Sequence, residues 1–476
     1  MALDTADRMS AMVASYDVVI LGAGSGGYAC ALRAAQLGLS VAMVEKDKIG
    51  GTCLHRGCIP TKALLHAAEV ADAARNGSQL GVHVTVDKID LAGIQDYAAS
   101  VVNRIHSGLT GLVKAGDIAV VSGEGRLVSV DGKLAVRVAD EDYVGDYLVL
   151  ASGSFPRTLP GVEVDGDRVI NSDHALKLGQ LPSSAIVLGG GVIGVEFASA
   201  WRSLGVEVTV VEAMPHLVPT EDPAIGTALE RAFRRRRIGI RTGVAVHSCQ
   251  ASGDAATVRL ADGSELSDEL VLMAVGRGPY TEGLGYAEAG VRLRRGFVDT
   301  DERLRASVPS TYALGDLVAG PQLAHRGFAH GIFVAEEIGH LTGRLSAAPL
   351  PVKDSDIPRV SYCDPEIATV GLSEEAARAA YGEVETLTYD LAGNGRSRIL
   401  KTAGFVKLIR RSSGPVVGIH MIGSRVSELI GEAQLINGWE AHPSDVAPYV
   451  HAHPTQNEAL GEAHLALAGK PLHSHG

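Results

Sequence analysis

Tyr16-Asp17-Val18-Val19-Ile20-Leu21-Gly22-x-Gly24-x-x-Gly27 begins the run whose reading decides the fold. An apolar strand enters a glycine turn, an alanine-rich helix follows through Leu37, Gly38 caps it, and Ser40 to Glu45 reads as a second strand. The first glycine permits the tight turn, the second lets backbone approach a pyrophosphate, and the third lets helix pack on strand. Glu45 closes the unit where a ribose hydroxyl would lie. In a chain with 57 glycines this spacing alone arises about once by chance, so the flanking strands, the helix and Glu45 carry the argument. The unit then recurs at Ser184 to Leu188, Gly189-x-Gly191-x-x-Gly194, a helix to Leu204, Gly205, and Val206 to Glu212, every landmark displaced by 167 residues. Two dinucleotide sites follow, and an α/β fold with them. A carboxylate at Glu212 suits a free 2′-hydroxyl and repels a 2′-phosphate, so one nucleotide should be NAD.

Just past the first unit stands Gly50-Gly51-Thr52-Cys53-Leu54-His55-Arg56-Gly57-Cys58-Ile59-Pro60-Thr61-Lys62. The chain has five cysteines, too few for a structural disulfide framework, and two of them fall five positions apart here. Pro60 lies in the first turn of an alanine- and leucine-rich helix, which puts Cys58 at a helix N-terminus, where exposed N–H groups favour a thiolate. The pair reads as a redox-active dithiol. The competing readings are an inert buried pair or half a metal site; no second Cys/His cluster at ligand spacing follows, so no metal is expected. Since hydride carriers do not readily reduce disulfides by themselves, the cofactor of the first site should be a flavin.

Net charge of −12 and a pI near 5.8 disfavour nucleic acid as a partner. No apolar run reaches membrane-spanning length. The first fifteen residues, with Asp4, Asp7 and Arg8, lack the apolar core of a signal peptide, so the expected location is the reducing cytoplasm. Arg234 to Arg237 close a helix-like segment starting near Asp222 and read as a solvated helix end. At 476 residues, two to four domains are expected. Residues 87–114 look helical and Ile118 to Leu150 strand-like; Gly161 to Pro182 reads as a crossing into the second domain. Glu265 to Val275 reads as one strand, followed by the Gly276-Arg277 loop, and Ala335 to Pro358 as the next boundary. From Arg359 onward alternating strands and helices suggest an α+β domain, closing with His453-Pro454-Thr455-x-x-Glu458, which is either an oriented base or a surface pair.

Together, Gly51-Thr52-Cys53-x4-Cys58-Ile59-Pro60-x-Lys62, Gly189 to Glu196, Gly315-Asp316 and the His453 motif resemble the pyridine nucleotide-disulfide oxidoreductases over roughly residues 15–468. The resemblance implies two Rossmann-like dinucleotide-binding domains plus an α+β C-terminal dimerisation domain. Residues 1–157 and 284–352 would bind FAD, 158–283 NAD, and 353–476 would form the interface of a homodimer. By the same resemblance Cys53 exchanges with substrate, Cys58 lies beside the isoalloxazine, and Lys62 and Glu196 pair behind it. Glu45, Lys46, Gly51, Thr52, Gly125, Ser152, Gly153, Asp316, Gln322, Leu323, Ala324 and His325 would also line FAD, and Glu212, Val244 and Gly276 NAD. His453, oriented by Glu458, would be the general base, reaching the disulfide of the other subunit. The implied activity is NAD-dependent oxidation of protein-bound dihydrolipoamide, with lipoyl-bearing proteins of 2-oxoacid dehydrogenase complexes or glycine cleavage as partners. A diaphorase, another disulfide reductase, and a non-catalytic FAD-binding assembly subunit are the alternatives. Glu212, where NADPH-dependent members carry arginines, and the thiol-free end Lys470 to Gly476 favour dihydrolipoamide. His55-Arg56 between the cysteines and Tyr280 after Gly276-Arg277-Gly278-Pro279 depart from the family pattern.

Overall fold

The computed structural model describes residues 13–130 and 132–473; the leader reading on Asp4, Asp7 and Arg8 and the thiol-free residues 474–476 lie outside them. The chain groups into two compact units: Met1–Cys58, Val101–Phe155 and Arg277–Asp354 form one, and Ile59–Ser100, Pro156–Gly276 and Ser355–Gly476 the other.

In the first unit, Val18, Val19 and Ile20 are fully buried, an unbroken apolar run that suits a parallel strand covered on both faces. Strand Val13–Leu21 pairs in parallel with Val41–Glu45 on one side and Glu141–Leu150 on the other. Ala119–Ser122 extends the sheet beyond Val41–Glu45. Strand Glu141–Leu150 divides its far edge: its first half pairs antiparallel with Lys133–Val138, its last residues in parallel with Thr311–Ala313. Helix Ser25–Gln36 packs on helix Ala324–Leu341, brought close by glycines at Gly26 and Gly331.

The second unit repeats the arrangement in a five-stranded parallel sheet ordered Gly239–Thr242, Glu207–Glu212, Ser184–Leu188, Leu270–Met273, Val169–Asn171. Helix Val192–Ser203 buries Phe197 and Trp201 against this core. A five-stranded antiparallel sheet, Arg359–Ser361 to Val384–Asp390, carries helices Ile430–Gly438 and Glu458–Leu467. The α/β fold class therefore stands. Among the described residues no helix is long and apolar enough to cross a membrane.

Four local expectations change. Residues 265–275 hold two strands: Glu265–Asp268 joins a three-stranded antiparallel sheet, while Leu270–Met273 enters the parallel one. The supposed crossing at 161–182 contains Val169–Asn171, an edge strand of the parallel sheet. The boundary expected from Ala335 begins later, because helix Ala324–Leu341 runs through it. The fourth concerns the arginine run, which is not uniformly solvated. Arg237 takes a left-handed φ of 61° and reverses the chain, and Arg236 turns inward. Its guanidinium donates to Ser199 Oγ (2.7 Å), Ser203 Oγ (2.7 Å) and the Asp364 carbonyl (2.7 Å). Arg236→Ala should therefore cost about 1–3 kcal/mol in urea unfolding, by stranding these acceptors, while exposed Arg235→Ala should change stability by less than about 0.5 kcal/mol.

Candidate active site

The two glycine loops are geometrically alike. Gly22 and Gly189 hold φ of 107° and 106°, and a Cβ on either would strike a carbonyl, that of Ala151 or Ala274. A Cβ on Gly27 or Gly194 would strike the carbonyl of the first glycine of its own loop. At the middle glycines, Gly24 and Gly191, nothing stands within 4 Å of a Cβ. Each is the N-cap of a twelve-residue helix, with no side chain covering the helix N–H groups. The carboxylates match as well: Glu45 accepts from the Ala23 and Asp47 amides (2.8 and 2.9 Å), Glu212 from those of Gly190 and Met214 (2.7 and 2.8 Å). Val244 donates its amide to the Glu212 carbonyl (3.3 Å). Gly276 holds a φ of 94°.

The dithiol segment folds as two helices, and the first, Gly51–Arg56, was not expected. Six residues between glycines carry no apolar period by which to see it. Gly50 donates its amide to the Ala23 carbonyl (2.9 Å), and Gly51 stands where a Cβ would meet Gly24 Cα at 2.7 Å, so this helix starts against the first nucleotide loop. Thr52 and Cys53 lie in its first turn, and Cys58 is the first residue of the nineteen-residue helix Cys58–Asn76. The two cysteines are close together and half-buried. Tyr28 was missed by sequence reasoning: burial and then the charges of Cys53 and Cys58 push its phenol up to about 12. By contrast burial alone raises Cys30 to about 12, and Cys249 and Cys363 are buried and raised as well, which leaves them unreactive. The unusual residues between the cysteines have partners of their own: His55 Nε2 meets the Ile49 carbonyl (2.8 Å), its ring stacks edge-on against His106, and Arg56 reaches Asp47 (3.3 Å).

Lys62 and Glu196, 134 residues apart, meet at 2.8 and 3.0 Å. Glu196 is buried and also accepts the Tyr362 amide (2.9 Å), while the Lys62 ammonium lies 4.8 Å from the Tyr362 ring centre. Nothing local in the sequence marked Tyr362. Asp316 accepts from Ser154 Oγ (2.5 Å), which in turn accepts from Arg277 Nε (2.8 Å), a relay of which only Asp316 was anticipated. Ser152 Oγ donates to the Tyr280 carbonyl (2.6 Å) and accepts from the Tyr286 hydroxyl (2.9 Å). Gly153, at φ 76°, accepts the Tyr280 amide (2.9 Å). The Tyr280 side chain, the other departure, holds Lys46: the ammonium donates to its hydroxyl at 2.9 Å and lies 4.1 Å from its ring centre. Gly125 packs under Leu21, Val44 and Val136. Gly315, φ 67°, accepts from buried Arg326, and Gln322 approaches the Asp316 carbonyl at 3.5 Å. Leu323 is the N-cap of the helix whose first residues are Ala324 and His325.

His453 Nδ1 lies 2.8 Å from Glu458 Oε1. Glu458 is the first residue of helix Glu458–Leu467, and its other oxygen accepts the Thr455 amide (2.7 Å). Burial opposes the charge on Glu458, yet the Thr455 amide and His453 together hold the carboxyl below its usual range. The His453 side chain is 77% exposed.

The family described as pyridine nucleotide-disulphide oxidoreductase matches residues 16–331, and the dimerisation domain of the same family matches residues 357–464. The chain belongs to the pyridine nucleotide-disulphide oxidoreductase family. Dihydrolipoyl dehydrogenase of Bacillus subtilis is 38% identical over 97% of this chain and 100% of its own. Dihydrolipoyl dehydrogenase 3 of Pseudomonas aeruginosa is likewise 38% identical, over 97% of this chain and 100% of its own. The solved structure of LpdA from Mycobacterium tuberculosis superposes with a TM-score of 0.87 at 28% identity, covering 96% of this chain and 99% of that one.

FAD and NAD are the cofactors of pyridine nucleotide-disulphide oxidoreductases, and the loops fit them. The open space over Gly24 and Gly191 admits a pyrophosphate against bare helix N–H groups. Two of the roughly four lone-pair positions on each of Glu45 and Glu212 are filled by backbone amides, which leaves two for ribose hydroxyls. Among the described residues no group of three or more His, Cys, Asp or Glu side chains is arranged to hold a metal.

Proposed function

We propose that this chain oxidises protein-bound dihydrolipoamide to lipoamide with NAD, as the dehydrogenase component of 2-oxoacid dehydrogenase complexes or of glycine cleavage. The observation that carries the reading is the His453–Glu458 contact: Nδ1 is fixed at 2.8 Å, and the imidazole is otherwise open to a substrate thiol. His453 takes the proton of one substrate thiol, and the thiolate attacks Cys53 Sγ of the oxidised pair. The Cys53–Cys58 bond breaks, Cys58 leaves as a thiolate, and a substrate–Cys53 disulfide forms. The second substrate thiol then attacks the substrate–Cys53 disulfide, its proton passing to the departing Cys53 sulfur, so that lipoamide closes and Cys53 is left as a thiol beside the Cys58 thiolate; two electrons have entered the cysteine pair. Bound FAD supplies the two-electron transfer from that pair to NAD. Cys58 at the start of its helix has its thiolate stabilised by the helix N-terminus. With FAD bound, Lys62, its charge held by buried Glu196, would face the flavin, and Asp316, which accepts from Ser154, would take the ribityl chain. Lys46 and the other glycines and loop residues named above line the two dinucleotides. Residues 1–157 with 284–352 serve FAD, 158–283 NAD, and 353–476 the subunit interface.

The dimerisation-domain match supports a homodimer, and in that dimer His453 would serve the other subunit's cysteines. A reducing cytoplasm suits a dithiol that cycles. Catalytic efficiency measured for dihydrolipoamide, glutathione disulfide and quinones with each nicotinamide should be highest for dihydrolipoamide with NAD. A higher value for glutathione disulfide or a quinone overturns the assignment.

NAD should exceed NADP in kcat/KM by about 10²-fold or more, because a 2′-phosphate would face the Glu212 carboxylate. Glu212→Ala should narrow that ratio. Equal efficiency of the native enzyme with both nucleotides refutes this role for Glu212.

A further inference from the structure

Beside the His453–Glu458 pair lies a second histidine–carboxylate contact. Glu432, on helix Ile430–Gly438, directs Oε1 to His451 Nε2 (2.9 Å) and Oε2 to Asn457 Nδ2. His451 is two residues before His453, and Asn457 is the N-cap of the helix that begins with Glu458. One carboxylate therefore closes both ends of the segment that presents His453. His451 is well covered: its side chain is 11% exposed, and its ring lies where a side chain at position 461 would stand, so Gly461 makes room for it. The hydrogen bond with Glu432 raises His451 and lowers Glu432 from their ordinary values, so the contact favours the charged form of each partner. The other charged or titratable groups facing His451 are Glu458 and His464. His464 is fully buried, burial lowers it, and its Nδ1 lies 2.6 Å from the Leu460 carbonyl, so it stays neutral. The middle of the segment is held by neutral contacts: Asn394 Nδ2 donates to the Thr455 carbonyl (3.0 Å), and Ser397 Oγ to Gln456 Oε1 (2.6 Å).

We propose that Glu432 is a positioning residue for thiol deprotonation: through His451 and Asn457 it fixes the segment carrying His453, so that Glu458 meets an imidazole already in place. The inference rests on the reading of His453 as the base. Displacing a catalytic group by about 1 Å can cost on the order of 10²-fold in rate, and the Glu432 contacts oppose that displacement. A structural role alone would affect all activities alike and would not depend on whether His453 is present.

The test uses the FAD-loaded enzyme and two assays, dihydrolipoamide with NAD and NADH with ferricyanide, the second needing no thiol deprotonation. Glu432→Gln should lower kcat for dihydrolipoamide roughly 10- to 10²-fold, leaving its KM and the ferricyanide rate within about twofold. In a His453→Gln background the same change should lower dihydrolipoamide turnover by less than about twofold. His451→Gln, the second variant should Glu432→Gln fail to fold or retain FAD, should behave in the same way. An unchanged kcat, a parallel loss of ferricyanide activity, or an equal fold-loss with and without His453 overturns the proposal. A native enzyme that does not turn over dihydrolipoamide instead overturns the reading beneath it, and is seen before any variant is made.

Discussion

His453→Gln is expected to lower dihydrolipoamide turnover by about 10²- to 10⁴-fold, the usual contribution of a positioned base. A dihydrolipoamide thiol has a pKa well above neutrality, so its attack on a disulfide is slow unless a nearby group takes the proton. The imidazole is suited to that: Glu458 holds Nδ1 at 2.8 Å, which fixes the tautomer and directs the other ring nitrogen outward. Flavin content and NADH–ferricyanide activity should change far less. Glu458→Gln should cost less than loss of the imidazole, since it removes charge support while the ring remains. If the base acts across a homodimer, mixing inactive Cys53→Ser with inactive His453→Gln subunits should restore activity. Half the dimers after random exchange are mixed and each holds one intact site, so recovery should approach about one quarter of the native rate. Absence of recovery despite proven exchange would show that His453 does not act across the interface, or is not the base.

Lys407→Ala is expected to destabilise the second unit by about 3–5 kcal/mol, the cost of leaving a buried charge without its partner. The Lys407 ammonium lies 3.0 Å from both oxygens of Asp222, which is 1% exposed, and 2.8 Å from Glu374. Asp222 also caps helix Pro223–Arg235 by accepting the Ala224 amide (3.0 Å). Burial works to raise the Asp222 carboxyl, but the Glu374 amide, Lys407 and the Ala224 amide together hold it below its ordinary value of 3.8. Hydrogen bonds from Lys407 and Arg378 lower Glu374 from 4.5. Both carboxyls are depressed in the folded state, so their stabilisation is complete above about pH 5 and is lost as pH falls through 4.5 and 3.8 toward the folded values. Urea unfolding at pH 7.5 and at pH 4 should show the native enzyme weaker at the lower pH. The deficit of Lys407→Ala should shrink there, because protonation removes the stranded charge. A deficit that grows on acidification would contradict the argument. Asp222→Ala combined with Lys407→Ala should cost less than the two losses added, since neither partner then remains buried alone.

Much of the molecule is set by local sequence. The strand from Val18 to Leu21 and its counterpart from Ser184 are apolar throughout because parallel strands are covered on both faces, so their pattern shows without knowledge of neighbours. Gly22 and Gly27, with Gly189 and Gly194, stand where any Cβ would enter backbone; that requirement belongs to the turn itself and repeats after 167 residues with the turn. Pro60 after Cys58 marked the start of a helix for the same local reason. What escaped was short or remote. Gly51–Arg56 is too brief to show a helical period, and Val169–Asn171 is a three-residue edge strand whose place comes only from pairing with Leu270–Met273. The pairing of Lys62 with Glu196 came through family resemblance rather than from spacing, and the amide of Tyr362 that shares the carboxylate came from neither. Arg277 on Ser154, and Glu432 on His451 and Asn457, join segments whose separation along the chain bears no relation to their distance in space. Periodicity and turn chemistry report what each stretch of backbone needs from itself. Which buried charge receives which partner is decided when the sheets assemble, because only then does desolvation make an unpaired group costly.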